Sequence, residues 1–127
     1  MIAKEDILEL LKSTESYRVE RTVSTGNMDK FCEAICAFAN DMPGSRKNGY
    51  LIIGAKDDGS IAGMKVDDAL LKKIAGIRSD GNILPLPTMS VDRFSFPEGD
   101  LLVAEVRPSD LPPVRYRGRV FIRVGPR

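Results

Sequence analysis

The sequence contains no histidine, and this absence excludes several kinds of site. Without an imidazole there is no histidine-based catalytic triad and no histidine-ligated zinc of the kind that hydrolases use. No apolar run approaches the ~20 residues that a membrane span needs. The N-terminus carries acids among its leucines and lacks the apolar core of a signal peptide. A cytoplasmic location is therefore expected.

Cysteine is nearly as scarce, with two residues in the whole chain, and both fall on one predicted helix. Cys32 and Cys36 are about one helical turn apart, roughly 6 Å along the axis, which would strain a disulfide. The chain has no second cysteine pair that would complete a metal site. The two thiols are therefore expected to be small apolar side chains in the core.

Glycine motifs for nucleotide binding are also missing. Gly54, Gly59 and Gly63 form neither a Walker motif nor a dinucleotide fingerprint, and no Gly-Lys-Ser or Gly-Lys-Thr occurs. The chain alone is therefore not expected to bind ATP. What it has is 127 residues, 43% of them hydrophobic and 29% charged, without repeats or low-complexity tracts. Such a composition is typical of one folded domain.

The stretch from residue 31 to residue 63 is predicted to form the core. Its first part repeats apolar side chains at three- and four-residue steps, as one buried helical face requires: Phe31, Cys32, Ile35, Cys36, Phe38 and Ala39. Residues 50–53 are a continuous apolar run between glycines, typical of a strand that is covered on both faces. Asp58-Gly59 then predicts a tight turn into a short return strand over residues 60–64.

The rest of the chain alternates helices with strands. Two further helices with an apolar face are predicted, over residues 4–13 and 69–78. Strands with alternating polarity are predicted over residues 16–24, 89–96, 101–106, 114–116 and 119–124. The first of these is expected near a sheet edge, and the last two flank a turn at Arg117-Gly118. The order indicates an α+β fold, in which a mixed β-sheet with antiparallel hairpins packs against about three helices in a single domain, residues 1–127.

Positive charge is concentrated near the C-terminus of a chain whose net charge is only +1. Residues 107–127 contain six arginines against one acid, Asp110. Four of the arginines are expected to cluster on the last hairpin: Arg115, Arg117, Arg119 and Arg123. Guanidinium forks match phosphate oxygens, so this cluster is the leading candidate for binding nucleic acid. Tyr116 and Gly118 are compatible with close backbone approach or with stacking on an unpaired base. The alternative is a solvated edge hairpin whose charges only prevent aggregation.

A second basic candidate lies in the loop that precedes the central strand. Arg46 and Lys47 are adjacent there, and Lys56 follows the same strand. Polar loops of this kind are commonly only solvated. The pair is therefore a candidate for a secondary contact to a polyanion, while the main contact is assigned to the arginine cluster.

Several segments occur in an order that resembles one family: Val19-Glu20, Ala37–Asn40, Gly49–Gly63, Ile83–Pro87 and Val106–Gly125. Together they are similar to the Schlafen/AlbA-type DNA-binding domain, over about residues 8–125. The resemblance implies a nucleic-acid-binding domain, with DNA favoured over RNA, in the N-terminal part of a longer bacterial-type transcriptional regulator. The chain departs from the family pattern at Thr22, where a lysine is usual, and in the loop after Asn40, where a glycine pair is usual.

The same resemblance implies an alternative, because some Schlafen proteins act as metal-dependent ribonucleases through two glutamates and an aspartate. Glu15, Glu20 and Asp58 can be placed on that pattern, with Mg²⁺ or Mn²⁺ as the cofactor. Residues five apart on a regular strand face opposite ways, so Glu15 must precede the strand or be followed by a bulge. Asp58 also has a purely structural explanation in the predicted turn.

The leading prediction is thus a domain that binds nucleic acid without chemistry of its own and without a cofactor. Homodimerisation through an edge strand is compatible with it. Two alternatives stay open, the metal-dependent nuclease and a protein-interaction or oligomerisation module whose output lies elsewhere in a longer chain. The end of the sequence directly after a strand favours a domain cut from such a chain.

Overall fold

Strand β2, Gly49–Ile53, lies at the centre of the computed structural model, which describes residues 2–12 and 18–123. It pairs in parallel with β1, Val19–Thr22, and antiparallel with β5, Gly99–Val106. β4, Met89–Phe96, pairs antiparallel with β5 and completes a four-stranded sheet in the order β1-β2-β5-β4. The central, doubly covered strand and the edge position of β1 are both as predicted.

Three helices cover the two faces of this sheet: α1, Lys4–Lys12; α2, Met28–Asn40; and α3, Asp68–Ala75, which a 3₁₀ turn, Gly76–Arg78, prolongs. Helices α2 and α3 pack on one face and share a core with Leu51 and Ile53 of β2. Helix α1 packs on the other face, where Ile7 and Leu11 meet Ile52. The α+β class with a mixed sheet and three helices is confirmed. None of the described helices is long and apolar enough to cross a membrane.

Helix α2 is almost entirely buried between residues 31 and 39, where only Glu33 remains partly exposed. The helix begins at a side-chain cap, because Asn27 Oδ1 accepts the backbone N–H of Lys30 at 3.2 Å. It ends where Asp41 adopts the left-handed conformation, with φ 45°. Burial raises the pKa of the Cys32 thiol to about 11, which agrees with the interpretation of the cysteines as core side chains.

The short return strand expected after the turn at Gly59 does not form. The turn itself is present, with φ +87° at the glycine, but only an isolated bridge between Ala55 and Ile61 follows it. The chain then passes so close to the β4–β5 turn that a Cβ at Gly99 would lie 2.7 Å from the Cα of Gly63. Two backbone hydrogen bonds, Lys56 to Ser60 and Ala62 to Gly54, accompany the bridge, and the N–H of Asp100 donates to the carbonyl of Met64 beyond it.

A second sheet, in the order β3-β6-β7, contains the last hairpin: β3, Ile83–Leu84; β6, Arg115–Tyr116; and β7, Arg119–Val120. The hairpin is confirmed, but β7 is two residues long, whereas a strand to residue 124 was expected. Residues 121–123 follow outside any strand, and residues 124–127 lie outside the described part of the chain. Ile83 and Tyr116 on the inner face of this sheet join the core around α2.

Candidate nucleic-acid interface

A two-residue turn joins β6 to β7 in the arginine hairpin, residues 115–120. Arg117 and Gly118 both have positive φ, 48° and 83°, as in the mirror-image turns that match the twist of paired strands. The left-handed conformation costs a non-glycine residue about 1–2 kcal/mol. The backbone N–H of Arg117 donates to the carbonyl of Asn82 at 2.8 Å and helps to offset that cost. The turn is therefore tied to the segment before β3.

Three arginines of the hairpin, Arg115, Arg117 and Arg119, are exposed to solvent. Arg115 is paired with Val120 on the outer face of the small sheet, and Arg119 is paired with Tyr116 on the inner face, at the open edge. No carboxylate of residues 2–12 or 18–123 lies within the 4.0 Å of an ion pair from these three guanidinium groups. Their positive charge is therefore available to an anionic ligand.

Tyr116 does not present its ring to solvent, so the expectation that it stacks on an unpaired base is wrong. The residue is 6% exposed, and its hydroxyl donates to Asp29 Oδ1 at 2.5 Å. The hydrogen bond from the tyrosine hydroxyl to the Asp29 carboxylate raises the pKa of Tyr116 above its ordinary value, and burial of the side chain raises it further. Phe121 packs beside the ring, with centroids 6.2 Å apart, and the guanidinium of Arg117 lies 5.4 Å from the ring centroid. The tyrosine anchors the hairpin to α2.

Asn40, the last residue of α2, holds the chain on both sides of the hairpin. Its Nδ2 donates to the carbonyls of Val114 and Phe121 at 3.0 and 2.8 Å, and its Oδ1 accepts the backbone N–H of Val114 at 2.6 Å. The sequence marked Asn40 as part of a family motif but gave no reason for it. Its partners are 74 and 81 residues away, and no local pattern signals such a contact.

Arg123 is separated from the other arginines, which corrects the expectation that it contacts a ligand with them. Its Nη1 lies 2.7 Å from Glu20 Oε1, and both side chains are only 12% exposed. Its Nη2 donates to the carbonyl of Val19 at 3.3 Å, and the guanidinium lies 5.3 Å from the ring centroid of Phe38. Because β7 ends at Val120, the strand alternation stops there, and the chain turns over α2 toward β1.

The secondary candidates Arg46 and Lys47 lie on a loop that Asp41 organises. Its carboxylate accepts the backbone N–H groups of Ser45 and Arg46 at 3.2 and 2.8 Å, and the Ser45 hydroxyl at 2.8 Å. The side chains of Arg46 and Lys47 are exposed, and Lys47 borders a narrow cleft together with Arg123. The loop therefore presents positive charge beside the edge strand β1.

Of the acidic candidates, Glu15 lies outside the described residues. Glu20 is in the ion pair described above and also lies 3.8 Å from Lys30. Asp58 is exposed and accepts the hydroxyl and backbone N–H of Ser60 at 2.6 and 2.9 Å, bonds that lower the pKa of its carboxyl. Within residues 2–12 and 18–123, no three acidic or cysteine side chains meet as a metal site would require. Glu20 and Asp58 therefore do not belong to a group of that kind among the described residues.

Two open clefts flank Glu20. One of about 560 Å³ lies between α2 and residues 121–123, and one of about 660 Å³ lies between β1 and residues 55–57. Lys30 borders both, and Arg21, only 6% exposed, lines the second and donates from Nη2 to the carbonyl of Asp57 at 3.0 Å. Sequence reasoning missed Lys30, because a lysine on the exposed side of a helix is ordinary. These clefts mix carboxylates with cations and are less positive than the hairpin.

Comparison with known proteins gives a family match and a structural neighbour. The family described as Schlafen, AlbA_2 matches residues 15–127, in agreement with the resemblance carried by the motifs. The fold is similar to the N-terminal domain, solved by NMR, of a protein from Nitrosomonas europaea related to the ATP-dependent DNA helicase RecG. The TM-score is 0.68 and the identity 22%, over 98% of this chain and 90% of that one. No curated protein matches the sequence.

Proposed function

The chain belongs to the Schlafen AlbA_2 family, and from this membership and the geometry of the arginine hairpin we propose that it binds nucleic acid through Arg115, Arg117 and Arg119. DNA is the preferred partner. The three guanidinium groups contact phosphates, which fix the position of a polymer without reading its bases. The domain serves a transcriptional regulator as its binding part and performs no chemistry itself.

The proposal rests on one contrast within the last ten described residues. Arg123 is neutralised by Glu20, whereas the three arginines of the hairpin have no carboxylate partner among the described residues. The hairpin is also held in place by the bonds of Asn40 and by the Tyr116–Asp29 bond. A fixed scaffold that presents uncompensated cations loses little entropy on binding, which favours affinity for a polyanion.

The structural neighbour agrees with DNA as the partner, because its parent protein is described as related to a DNA helicase. Arg46 and Lys47 supply a secondary phosphate contact in this proposal, since both are exposed. Strands β1 and β4 are the edges of the main sheet, so a homodimer would form by pairing along one of them. Sedimentation of the purified protein at several concentrations tests that part separately.

The double variant Arg117→Ala/Arg119→Ala tests the binding site. Anisotropy of a labelled 20-base-pair DNA at rising salt gives the slope of log K against log salt. The three hairpin arginines contribute about −2.7 to this slope, and the one that remains in the variant contributes about −0.9, so the slope should become less negative by about 1.8. Lys72 and Lys73 on α3 are also exposed, so Lys72→Ala/Lys73→Ala removes the same charge elsewhere and should leave the slope close to that of the unmodified protein.

Three results would contradict the proposal. Unchanged affinity and slope in the Arg117→Ala/Arg119→Ala variant would move the binding site away from the hairpin. Cleavage of the DNA or of RNA in the presence of Mn²⁺, lost in Glu20→Ala, would favour the nuclease. Absence of binding to either nucleic acid, together with a stable oligomer in solution, would favour an interaction module.

A further inference from the structure

We propose that the arginine hairpin takes duplex nucleic acid in preference to a single strand, and that it contacts the two sugar-phosphate backbones without stacking on bases. This inference rests on the proposed function, because it names the form of nucleic acid that the same three arginines bind. Three features of the hairpin support it: the side chains that surround the arginines, the faces from which the arginines project, and the contacts that hold the hairpin in place.

Among the described residues, the surface around the arginines offers no fully exposed ring for a base to stack on. Proteins that bind single strands without sequence preference rely on aromatic side chains as stacking platforms. Of the large apolar side chains that are exposed in residues 2–12 and 18–123, none is aromatic. Of the aromatic residues nearest to the arginines, Tyr116 is 6% exposed, and Phe121, which is partly buried, packs beside it and borders the cleft over α2. A single strand would therefore gain little beyond its phosphate contacts.

The anchoring of Tyr116 keeps this surface unchanged on binding. To expose its ring, the protein would have to break the hydroxyl bond to Asp29 at 2.5 Å and remove the side chain from the core around α2. The guanidinium of Arg117 also lies over the ring, 5.4 Å from its centroid. A phosphate bound by Arg117 would sit outside this arrangement and would not require the ring to move.

The arginines project in directions that suit two backbones better than one. Arg115 lies on the outer face of the hairpin and Arg119 on the inner face at the open edge, because their partners in register are Val120 and Tyr116. Arg117 is at the turn between them. A single strand lying along one face would reach only part of this set. The phosphates on the two sides of a duplex groove can be contacted from the outer face and from the open edge of a strand pair.

Aliphatic side chains flank the outer arginine. Leu84, Arg115 and Val120 form one cross-strand row on the outer face, and the leucine and valine are 55% and 45% exposed. Aliphatic groups make apolar contact with the sugars of a backbone, but they have no π-face for a base. The row therefore adds contact area along a backbone and no means of holding an unstacked base.

The test compares three labelled ligands of equal length: a 20-base-pair DNA duplex, one of its strands alone, and an abasic single strand of 20 phosphates. We expect the duplex to bind at least tenfold more tightly than its single strand at low salt, and its affinity to fall by at least about 40-fold, the share of the three hairpin arginines, from 50 to 200 mM salt. The single strand and the abasic strand should bind within twofold of each other, because no stacking is lost when the bases are removed.

The outcomes separate this inference from the proposed function. If the single strand binds as tightly as the duplex, or if the abasic strand binds tenfold more weakly than the base-containing one, the duplex inference fails while nucleic-acid binding stands. If no ligand binds, or if Arg117→Ala/Arg119→Ala leaves all affinities unchanged, the proposed function fails as well. The Lys72→Ala/Lys73→Ala control should preserve the order of the three affinities.

Discussion

Asn40 connects the end of α2 to both sides of the arginine hairpin, so its replacement tests what holds the proposed interface in place. Asn40→Ala removes four hydrogen bonds: two to Val114, one to the carbonyl of Phe121 and a long one to Cys36 Sγ. Val114 is 1% exposed, so water does not readily replace the partner of its N–H. An unsatisfied buried group costs about 1–3 kcal/mol. Because Cys36 Sγ still donates to the Val114 carbonyl, we expect the free energy of unfolding to fall by about 2–4 kcal/mol.

Urea unfolding followed by circular dichroism measures this loss as a lower midpoint at unchanged slope. Asn40→Asp is the matched variant, because it keeps the shape and the acceptor for the N–H of Val114. It replaces the donor with a carboxylate that faces two carbonyls, so it should destabilise the protein at least as much as alanine. Hydrogen exchange at the amide of Val114 locates the effect, since that amide should lose protection in Asn40→Ala more than amides of β5 do.

The role assigned to Asn40 is refuted if Asn40→Ala lowers the free energy of unfolding by less than about 0.5 kcal/mol, the range of an ordinary surface substitution. It is also refuted if Asn40→Asp is as stable as the unmodified protein, because the donor would then contribute nothing. A large global loss with unchanged relative protection at Val114 would show that Asn40 stabilises α2 itself and not the attachment of the hairpin.

Two further predictions concern charged groups of the fold. Arg123→Met should lower the free energy of unfolding by about 3 kcal/mol, because the carboxylate of Glu20, whose side chain is 12% exposed, loses its nearest cation. Urea unfolding should show that the double variant Arg123→Met/Glu20→Gln recovers most of this loss. If the double variant recovers none of it, the ion pair is not the cause. Burial, reinforced by the carboxylate of Glu105 that accepts its hydroxyl, raises the pKa of Tyr50 to about 12. The folded pKa lies above the unfolded value of about 10, so the associated stability is present below about pH 10 and is lost between about pH 10 and 12. Ultraviolet difference titration against Tyr50→Phe should show a lower pKa in Glu105→Gln, and an unchanged titration would contradict the assignment.

Local sequence patterns were sufficient to predict the helices and strands in which buried positions recur at a regular spacing. The apolar steps of α2, the continuous apolar run of β2 and the alternation of β4 each report a periodic environment, and all three elements are present. The turn at Gly118 was predictable for a related reason, since a short hairpin needs residues that tolerate positive φ. The α+β class followed from these elements and their order.

What the sequence did not reveal depends on contacts between distant residues. After Gly59 the chain makes a single bridge and then approaches the β4–β5 turn at Gly63 and Gly99, and the sequence between these glycines does not encode that contact locally. The roles of Asn40 and of Lys30 likewise depend on partners in another element. The residues around Tyr116 alternate in polarity in a way that fits an exposed ring and a buried ring equally well. The hydroxyl bond to Asp29, which holds the ring in the core, joins residues that are far apart in the sequence.

The division of the arginines follows from where β7 stops. Arg115 and Arg119 stay at the surface because regular pairing continues through Val120. Beyond that residue the chain passes over α2, where a guanidinium becomes largely buried and requires a carboxylate close to it. Glu20 supplies that carboxylate at 2.7 Å, so this acid has a structural explanation that is independent of metal binding. The same pairing removes Arg123 from the surface and leaves the positive charge of this region at the hairpin, where a polyanion can reach it.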